Sequence, residues 1–224
     1  LLPTYNKACS SPTAPTPTRL ESLRSLLTGF RCSKLHEIKD FRPGTRLDMA
    51  EKPTIYKFKI ALSDLDREVY ETLNLTFARH PSETLERMIV RMLAFCFNAQ
   101  DRLVICKGLS DTEEPGLWAH SLDGNLELSI EVGEPAFDRI KKATRVATEV
   151  KVYCFNSKAD TWWELNRSDF GKLSAQIFQF QWNEIVALAN KVERTMDISI
   201  TITDGSAYVA TAQGECEVTL TQLQ

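Results

Sequence analysis

The sequence lacks a long hydrophobic run and lacks net positive charge. A membrane-spanning helix needs about 18 consecutive apolar residues, and no stretch of the 224 residues approaches that length, so we expect no membrane partner. The formal charge is −3 and the pI is about 5.7. These values argue against a generally basic, histone-like nucleic-acid binder, but they leave room for a local basic site.

Closely paired cysteines are also missing. The chain has 6 cysteines but no C-x-x-C pair, so the spacing gives no indication of a zinc site. Four of the cysteines lie in apolar segments. The simplest interpretation is a cytoplasmic protein with reduced, buried thiols.

The first 48 residues differ in composition from the rest. They carry a net charge of +4, whereas residues 49–224 carry −7. Ser10–Thr18 consists only of Ser, Thr, Pro and Ala, which cannot bury enough surface to offset the entropy lost on ordering. We therefore expect 1–48 to be a disordered or non-native extension and 49–224 to be a single domain that begins near Met49.

The first elements of that domain are predicted from periodicity. Thr54–Leu62 and Val69–Phe77 alternate apolar and polar residues around a turn rich in Asp and Ser, which predicts an N-terminal antiparallel hairpin. Glu83–Asn98 carries apolar residues at steps of three and four, the pattern of a helix with a buried face. Ser82 is its predicted N-cap.

The stretch 124–145 organises the middle of the chain. Leu126–Val132 alternates strictly, as in a strand with one buried face, and Gly133 ends it before a basic helix. Val150–Phe155 follows as an apolar strand. The order α-β-β-β-α-β over 82–155 includes a strand–helix–strand crossover, so its last two strands should be parallel or mixed.

The remaining elements complete a mixed sheet flanked by helices, of class α+β or α/β. The pattern predicts a helix near Trp162, a strand at Gln176–Gln181, a helix at Asn183–Val192, antiparallel strands at Met196–Ile202 and Ala207–Thr211 joined by Asp204-Gly205, and an edge strand at Glu217–Leu220.

Two separated blocks of sequence carry a resemblance to a known family. One is Ala78-Arg79-His80-Pro81-Ser82-Glu83-Thr84, which continues into Glu86, Arg87, Met88 and Arg91. The other is Ile130-Glu131-Val132-Gly133-Glu134-Pro135, which runs into Arg139-Ile140-Lys141-Lys142-Ala143. Both resemble blocks of the YaeQ family, and the resemblance covers essentially 49–224.

That resemblance implies a restriction-endonuclease-like core, because the family is similar in fold to the PD-(D/E)xK nuclease superfamily. In those enzymes, acids on two neighbouring strands hold Mg²⁺, and a lysine two residues beyond the second acid acts on the attacking water. A carboxylate on the first helix often assists.

The motif carries over residue by residue only in part. Glu131 fits the second acid and Glu83 the first-helix carboxylate, but Gly133 stands where the lysine belongs. We expect Lys142 or Lys141, from the following helix, to replace that lysine. Three acids are candidates for the missing metal ligand: Asp123, Glu113 and Glu114.

Further residues are assigned around this centre. Arg139, Arg145 and Arg87 are candidates for contacts to nucleic acid, and Glu127 and His80 for supporting roles next to the metal ligands. Each also has a structural interpretation, as part of a solvated face, a local ion pair or a strand–helix junction. Trp162-Trp163 either packs on the edge of the core or stacks on bases.

Three functions are consistent with these features. The first is a Mg²⁺-dependent nuclease with an altered site. The second is a catalytically inactive nucleic-acid-binding module, which Gly133 favours. The third is a protein-interaction role, which the negative charge of 49–224 allows.

Overall fold

The computed structural model describes residues 52–107 and 114–224, and within them the chain forms ten strands and four helices. In chain order these are β1 Thr54–Asp64, β2 Val69–Arg79, α1 Leu85–Phe97, β3 Leu103–Ile105, β4 Leu117–His120, β5 Leu126–Val132, α2 Phe137–Ala143, β6 Glu149–Cys154, α3 Ala159–Phe170, β7 Gln176–Phe180, α4 Trp182–Ala189, β8 Thr195–Thr203, β9 Ser206–Thr211 and β10 Gly214–Gln222. The prediction for 1–48 lies outside the described residues.

The described strands form one mixed sheet in the order β2-β1-β8-β9-β10-β7-β6-β5-β4-β3. β1–β8, β5–β6 and β6–β7 are parallel, and the other pairs are antiparallel. The predictions of a mixed sheet, of the N-terminal hairpin and of the β8–β9 hairpin are confirmed. Asp204 and Gly205 have φ of 51° and 73°, as a tight turn with two left-handed residues requires.

The predicted edge strand at Glu217–Leu220 is wrong in its position. β10 lies inside the sheet, where Gly214–Thr219 pairs with β9 and Leu220–Gln222 pairs with β7. The polar residues that alternate along β10 resemble those of an exposed edge. The strand is long enough, however, to pair with one strand along its first part and with another at its end. It therefore joins the two halves of the sheet, β2-β1-β8-β9 on one side and β7-β6-β5-β4-β3 on the other.

Helix α1 lies at the centre of the larger hydrophobic core. Every residue from Met88 to Cys96 is buried, and strands from both halves of the sheet pack in the same cluster. A helix buried on all sides belongs to the interior of a fold. The guanidinium of Arg67 donates to the carbonyls of Ala99 (3.2 Å) and Cys96 (3.1 Å), and so satisfies acceptors at the end of the helix.

The start of α1 differs from the prediction. The helix begins at Leu85, and the Thr84 side chain accepts a hydrogen bond from the amide of Arg87 at 3.2 Å. Ser82, the predicted N-cap, instead places its hydroxyl 2.6 Å from Nδ1 of His80. The cap lies two residues later because Glu83 is drawn into the core.

A second, smaller core lies on the opposite face of β5, β6 and β7. It contains Ile140 of α2, Phe170 of α3 and Val152 of β6. The order α1-β3-β4-β5-α2-β6 and the parallel β5–β6 pair are as predicted. No helix in the described ranges is long and apolar enough to cross a membrane.

Candidate functional site

Strand β5 carries only one of the two carboxylates that the sequence assigns to one site. Ile130 and Val132 face the large core around α1. Because side chains alternate along a strand, Glu131 faces the other way, towards α2. Glu83 lies two residues before α1, and Arg87 of that helix is close enough to both carboxylates for each of them to raise its pKa.

Glu83 is held in a buried ion pair. Its side chain is 1% exposed, as is that of Arg91. Nη1 of Arg91 donates to both carboxylate oxygens, at 3.0 and 3.2 Å, and Nη2 donates to the carbonyl of Cys106 at 2.6 Å. A buried charge is tolerated when it is paired and hydrogen-bonded. Arg91 therefore links α1 to Cys106, the residue after β3, and Glu83 balances its charge.

Glu131 borders a groove between the sheet and α2. Its carboxylate accepts a hydrogen bond from Nε of Arg139 at 2.8 Å, and Nη2 of Arg139 donates to the carbonyl of Glu114 at 2.8 Å. Burial raises the pKa of the Glu131 carboxyl, against the opposing effect of Arg139 and Arg87. A buried carboxyl with a raised pKa at a cleft is a common feature of functional sites.

The groove holds about 470 Å³. Residues of β4 and β5 line one side of the groove, and residues of α2 line the other. The polar lining consists of Glu131, Asp138, Arg139, Lys142 and Ser129, and the apolar lining of Pro115, Trp118, Leu126, Ala143 and Val146. The structure thus brings together three of the residues that the sequence assigns to the site, namely Glu131, Lys142 and Arg139.

The other basic candidates of this stretch, Lys141 and Arg145, are not among the side chains that line the groove. Lys141 is exposed, with its ammonium 5.6 Å from the centroid of the Phe137 ring. Arg145 is exposed just beyond the end of the helix. From 137 to 145 the chain carries four basic residues and one acid. This stretch is therefore locally basic within a domain of net negative charge.

Two acidic candidates lie away from Glu131. Asp123 is exposed in the turn before β5, whose first residue, Leu126, is already roughly 17 Å from Glu131 at the rise of an extended strand. Glu127 is exposed near the start of β5, about 13 Å away by the same measure. The structure brings neither of them to Glu131.

Arg87 and His80 have structural contacts. Nη1 of Arg87 donates a short hydrogen bond to the carbonyl of Val132, and Nε lies 3.9 Å from the Glu83 carboxylate. Burial lowers the pKa of Arg87. Nδ1 of His80 accepts from the amide of Ser82 at 3.2 Å and closes the turn before α1.

The chain matches the family model described as "YaeQ protein" over residues 49–220. This chain belongs to the YaeQ family. It is 38% identical over 180 residues to "Uncharacterized protein YaeQ" of Salmonella typhi and to that of Escherichia coli (strain K12), covering 79% of this chain and 98% of each relative.

Crystal structures of two YaeQ proteins have the same fold. The protein from Xanthomonas axonopodis pv. citri has a TM-score of 0.74 at 32% identity, and 77% of this chain matches 98% of that chain. The protein from Pseudomonas syringae has a TM-score of 0.73 at 36% identity, over 77% of this chain and 96% of that one. The YaeQ resemblance drawn from the two blocks of sequence is therefore confirmed.

The candidate magnesium ligands Glu83, Glu131 and Glu114 each pair with a basic side chain in the described part of the chain. Within 52–107 and 114–224, no three side chains of His, Cys, Asp or Glu come close enough to share an ion. Arginines pair with Glu83 and Glu131, and Lys107 lies 3.4 Å from the Glu114 carboxylate. Glu113 lies outside the described residues. The Mg²⁺ assignment stays a prediction.

The sequence did not identify every residue of the groove. Trp118 and Ser129 are neighbours across β4 and β5, and such long-range pairing has no local signal. Trp162-Trp163 was considered for stacking, but Trp162 packs against Phe170 of the smaller core at 5.2 Å. Arg91 offered a usable signal, since a charge within an apolar helix repeat indicates a buried partner.

Proposed function

We propose that this YaeQ protein binds nucleic acid in the groove beside α2, without a metal held by the described carboxylates. One observation carries the proposal, which is that Lys142 and Arg139 line the same groove. Backbone phosphates are recognised mainly by Lys and Arg. The groove therefore offers cations at the place where the domain departs from its overall negative charge.

Glu131 does not cancel this basic character. Glu131 and Arg139 form an ion pair at 2.8 Å, so their two charges offset each other. Asp138 is the one acid in 137–145, where the sequence also has Lys141, Lys142 and Arg145. The balance of charge along α2 and its C-terminal turn thus favours an anionic ligand.

We further propose that α1-β3-β4-β5-α2-β6 is a restriction-endonuclease-like core. The order of elements and the parallel β5–β6 pair support this assignment. In this interpretation Glu131 corresponds to the second acid of the motif, and Gly133 to the position of its lysine. A member without that lysine is a natural candidate for binding without hydrolysis.

Phosphodiester hydrolysis is the second candidate. It is favoured by one specific observation, which is that Glu131 and Lys142 border the same groove. A carboxyl with a raised pKa beside an amine is a recurrent arrangement for proton transfer. Binding remains the first proposal because Gly133 stands at the position of the motif's lysine.

A binding titration tests the proposal. A labelled oligonucleotide should bind at low salt, and replacement of Lys141, Lys142 and Arg145 by Ala should weaken binding at least about tenfold. Lys57→Ala with Lys59→Ala is the matched control, because both lysines are exposed on the distant strand β1. Incubation of the same oligonucleotide with the protein and Mg²⁺ or Mn²⁺ tests hydrolysis. Glu131→Gln is the variant that should be inactive. Absence of binding at low salt would leave the protein-interaction role.

We propose that this protein is cytoplasmic. Cys96, Cys106, Cys154 and Cys216 are free thiols in the described part of the chain, and thiols are kept reduced in that compartment.

A further inference from the structure

We propose that the groove takes an unpaired strand and that Trp118 stacks on one of its bases. This inference rests on the proposed function, since it specifies which form of nucleic acid the groove binds. It is carried by the position of Trp118 relative to the cations of α2 and to the open edge of the sheet.

Trp118 lies on the same face of the sheet as Glu131. It is the register partner of Ser129 in the antiparallel β4–β5 pair, and Ser129 and Glu131 share a face because they are two residues apart on β5. Its half-buried side chain lines the groove. An indole is therefore placed across the groove from the α2 cations.

The indole is held in place by the strand itself. His120 lies two residues further along β4, and its ring meets the Trp118 ring edge-on at a centroid distance of 5.0 Å. A ring fixed in this way loses little conformational freedom when a ligand stacks on it. The arrangement provides a preformed aromatic platform.

The described sheet ends one strand beyond Trp118. On the side of β4 away from β5, the register partner of Trp118 is Val104 of β3, which is 50% exposed. β3 is the last strand of the described sheet. A flexible strand can therefore enter over this edge. It would place a base on Trp118 and the adjoining phosphates near Lys142.

The chemistry favours an unpaired strand over a duplex. In a duplex each base stacks on its neighbours, and its grooves expose base edges rather than base faces. An aromatic side chain can stack only on a base that has left the helix or was never paired. The apolar lining at Pro115, Leu126 and Val146 also suits the face of a base better than a phosphate backbone.

The other tryptophans have different environments. Trp162 contacts Phe170 and Trp163, at 5.2 and 6.5 Å between ring centroids. Trp182 packs on Phe155 at 6.2 Å. Since Trp163 is partly buried against the smaller core, Trp163→Ala is a matched control for loss of a tryptophan.

The test measures fluorescence anisotropy with a labelled single strand and with its duplex, as DNA and as RNA. The wild-type chain should bind the single strand more tightly. Trp118→Ala should weaken single-strand binding about tenfold, as expected for one lost stack, while Trp118→Phe and Trp163→Ala retain most of the affinity. Quenching of tryptophan emission by the single strand should be lost in Trp118→Phe. Melting curves identify variants that fail to fold.

The outcomes separate this inference from the proposed function. Tighter binding of the duplex, or equal affinities of the wild type and a folded Trp118→Ala variant for the single strand, overturns the role of Trp118 and leaves the nucleic-acid groove standing. No binding of either form at low salt overturns both.

Discussion

At the scale of single residues, the two candidate carboxylates differ in their ion-pair partners and in their surroundings. Glu131 meets Arg139 across a groove open to solvent, whereas Glu83 meets Arg91 in the interior. The family resemblance assigns both carboxylates to one motif, but their environments differ. Glu131 borders the groove, and Glu83 lies in the core.

Glu131 should make the stability of this protein depend on pH. Burial raises the pKa of its carboxyl in the folded chain, above the unfolded value of about 4.3. Its contribution to stability is then fully present below that value and falls as the pH rises through the folded pKa. The free energy of unfolding of the wild type minus that of Glu131→Gln should therefore fall with pH. A difference that grows with pH would mean that the Arg139 pair outweighs burial.

Gly133 should be sensitive to a single added methyl group. Its φ is +102°, and a Cβ would come within 2.7 Å of Nη1 of Arg87. Gly133→Ala should cost about 1–2 kcal/mol in backbone strain, plus about 1 kcal/mol if Arg87 leaves the Val132 carbonyl.

Gly124→Ala is the control for that measurement. Gly124 also has a positive φ, of +81°, but its Cβ would meet nothing within 4 Å. Urea unfolding should show the larger loss at Gly133. Equal losses at the two positions would mean that the Arg87 contact adds nothing.

At the scale of elements, α1 shows how far sequence reasoning reaches. Apolar residues at helical spacing predict the helix. Its predicted start is wrong because Ser82 satisfies the capping rule as well as Thr84 does. The pairing of Glu83 with Arg91 depends on the path of the chain between them, which local rules do not describe. Lys142 could be predicted because a helix after Gly133 returns beside the strand, whereas Trp118 required the β4–β5 register.

The Glu83–Arg91 pair should be needed for α1 and irrelevant to the groove. Glu83→Gln leaves Arg91 buried without a countercharge, which should cost about 3 kcal/mol or more. Glu86→Gln, in the first turn of the same helix, should change stability by no more than about 0.5 kcal/mol. Chemical denaturation measures both. If folded Glu83→Gln lost affinity for an oligonucleotide that Glu86→Gln retains, Glu83 would belong to the binding site after all.

At the scale of the whole molecule, β10 joins the two halves of the sheet. Its first part pairs with β9 and its end with β7. Nε2 of Gln224 then donates to three carbonyls, those of Phe170, Leu173 and Ala175. The end of β10 thus secures the half of the sheet that carries β5 and the groove.

Removal of residues 220–224 should therefore weaken the fold. With each hydrogen bond worth about 1 kcal/mol net, the loss should reach about 3 kcal/mol or more by urea unfolding. Gln222→Ala, an exposed change in the same tail, should have little effect. If the truncated protein had the same free energy of unfolding as the wild type, β10 would not hold the two halves of the sheet together.

The central claim, a phosphate-binding groove along α2, is tested most directly by the salt dependence of binding. The logarithm of the association constant of a single strand should fall linearly with the logarithm of the salt concentration, by about 0.7 for each phosphate neutralised. Replacement of Lys141, Lys142 and Arg145 by Ala should reduce that slope by up to about 2, while the Lys57/Lys59 variant keeps the wild-type slope. Equal slopes for the wild type and the α2 variant would contradict the account.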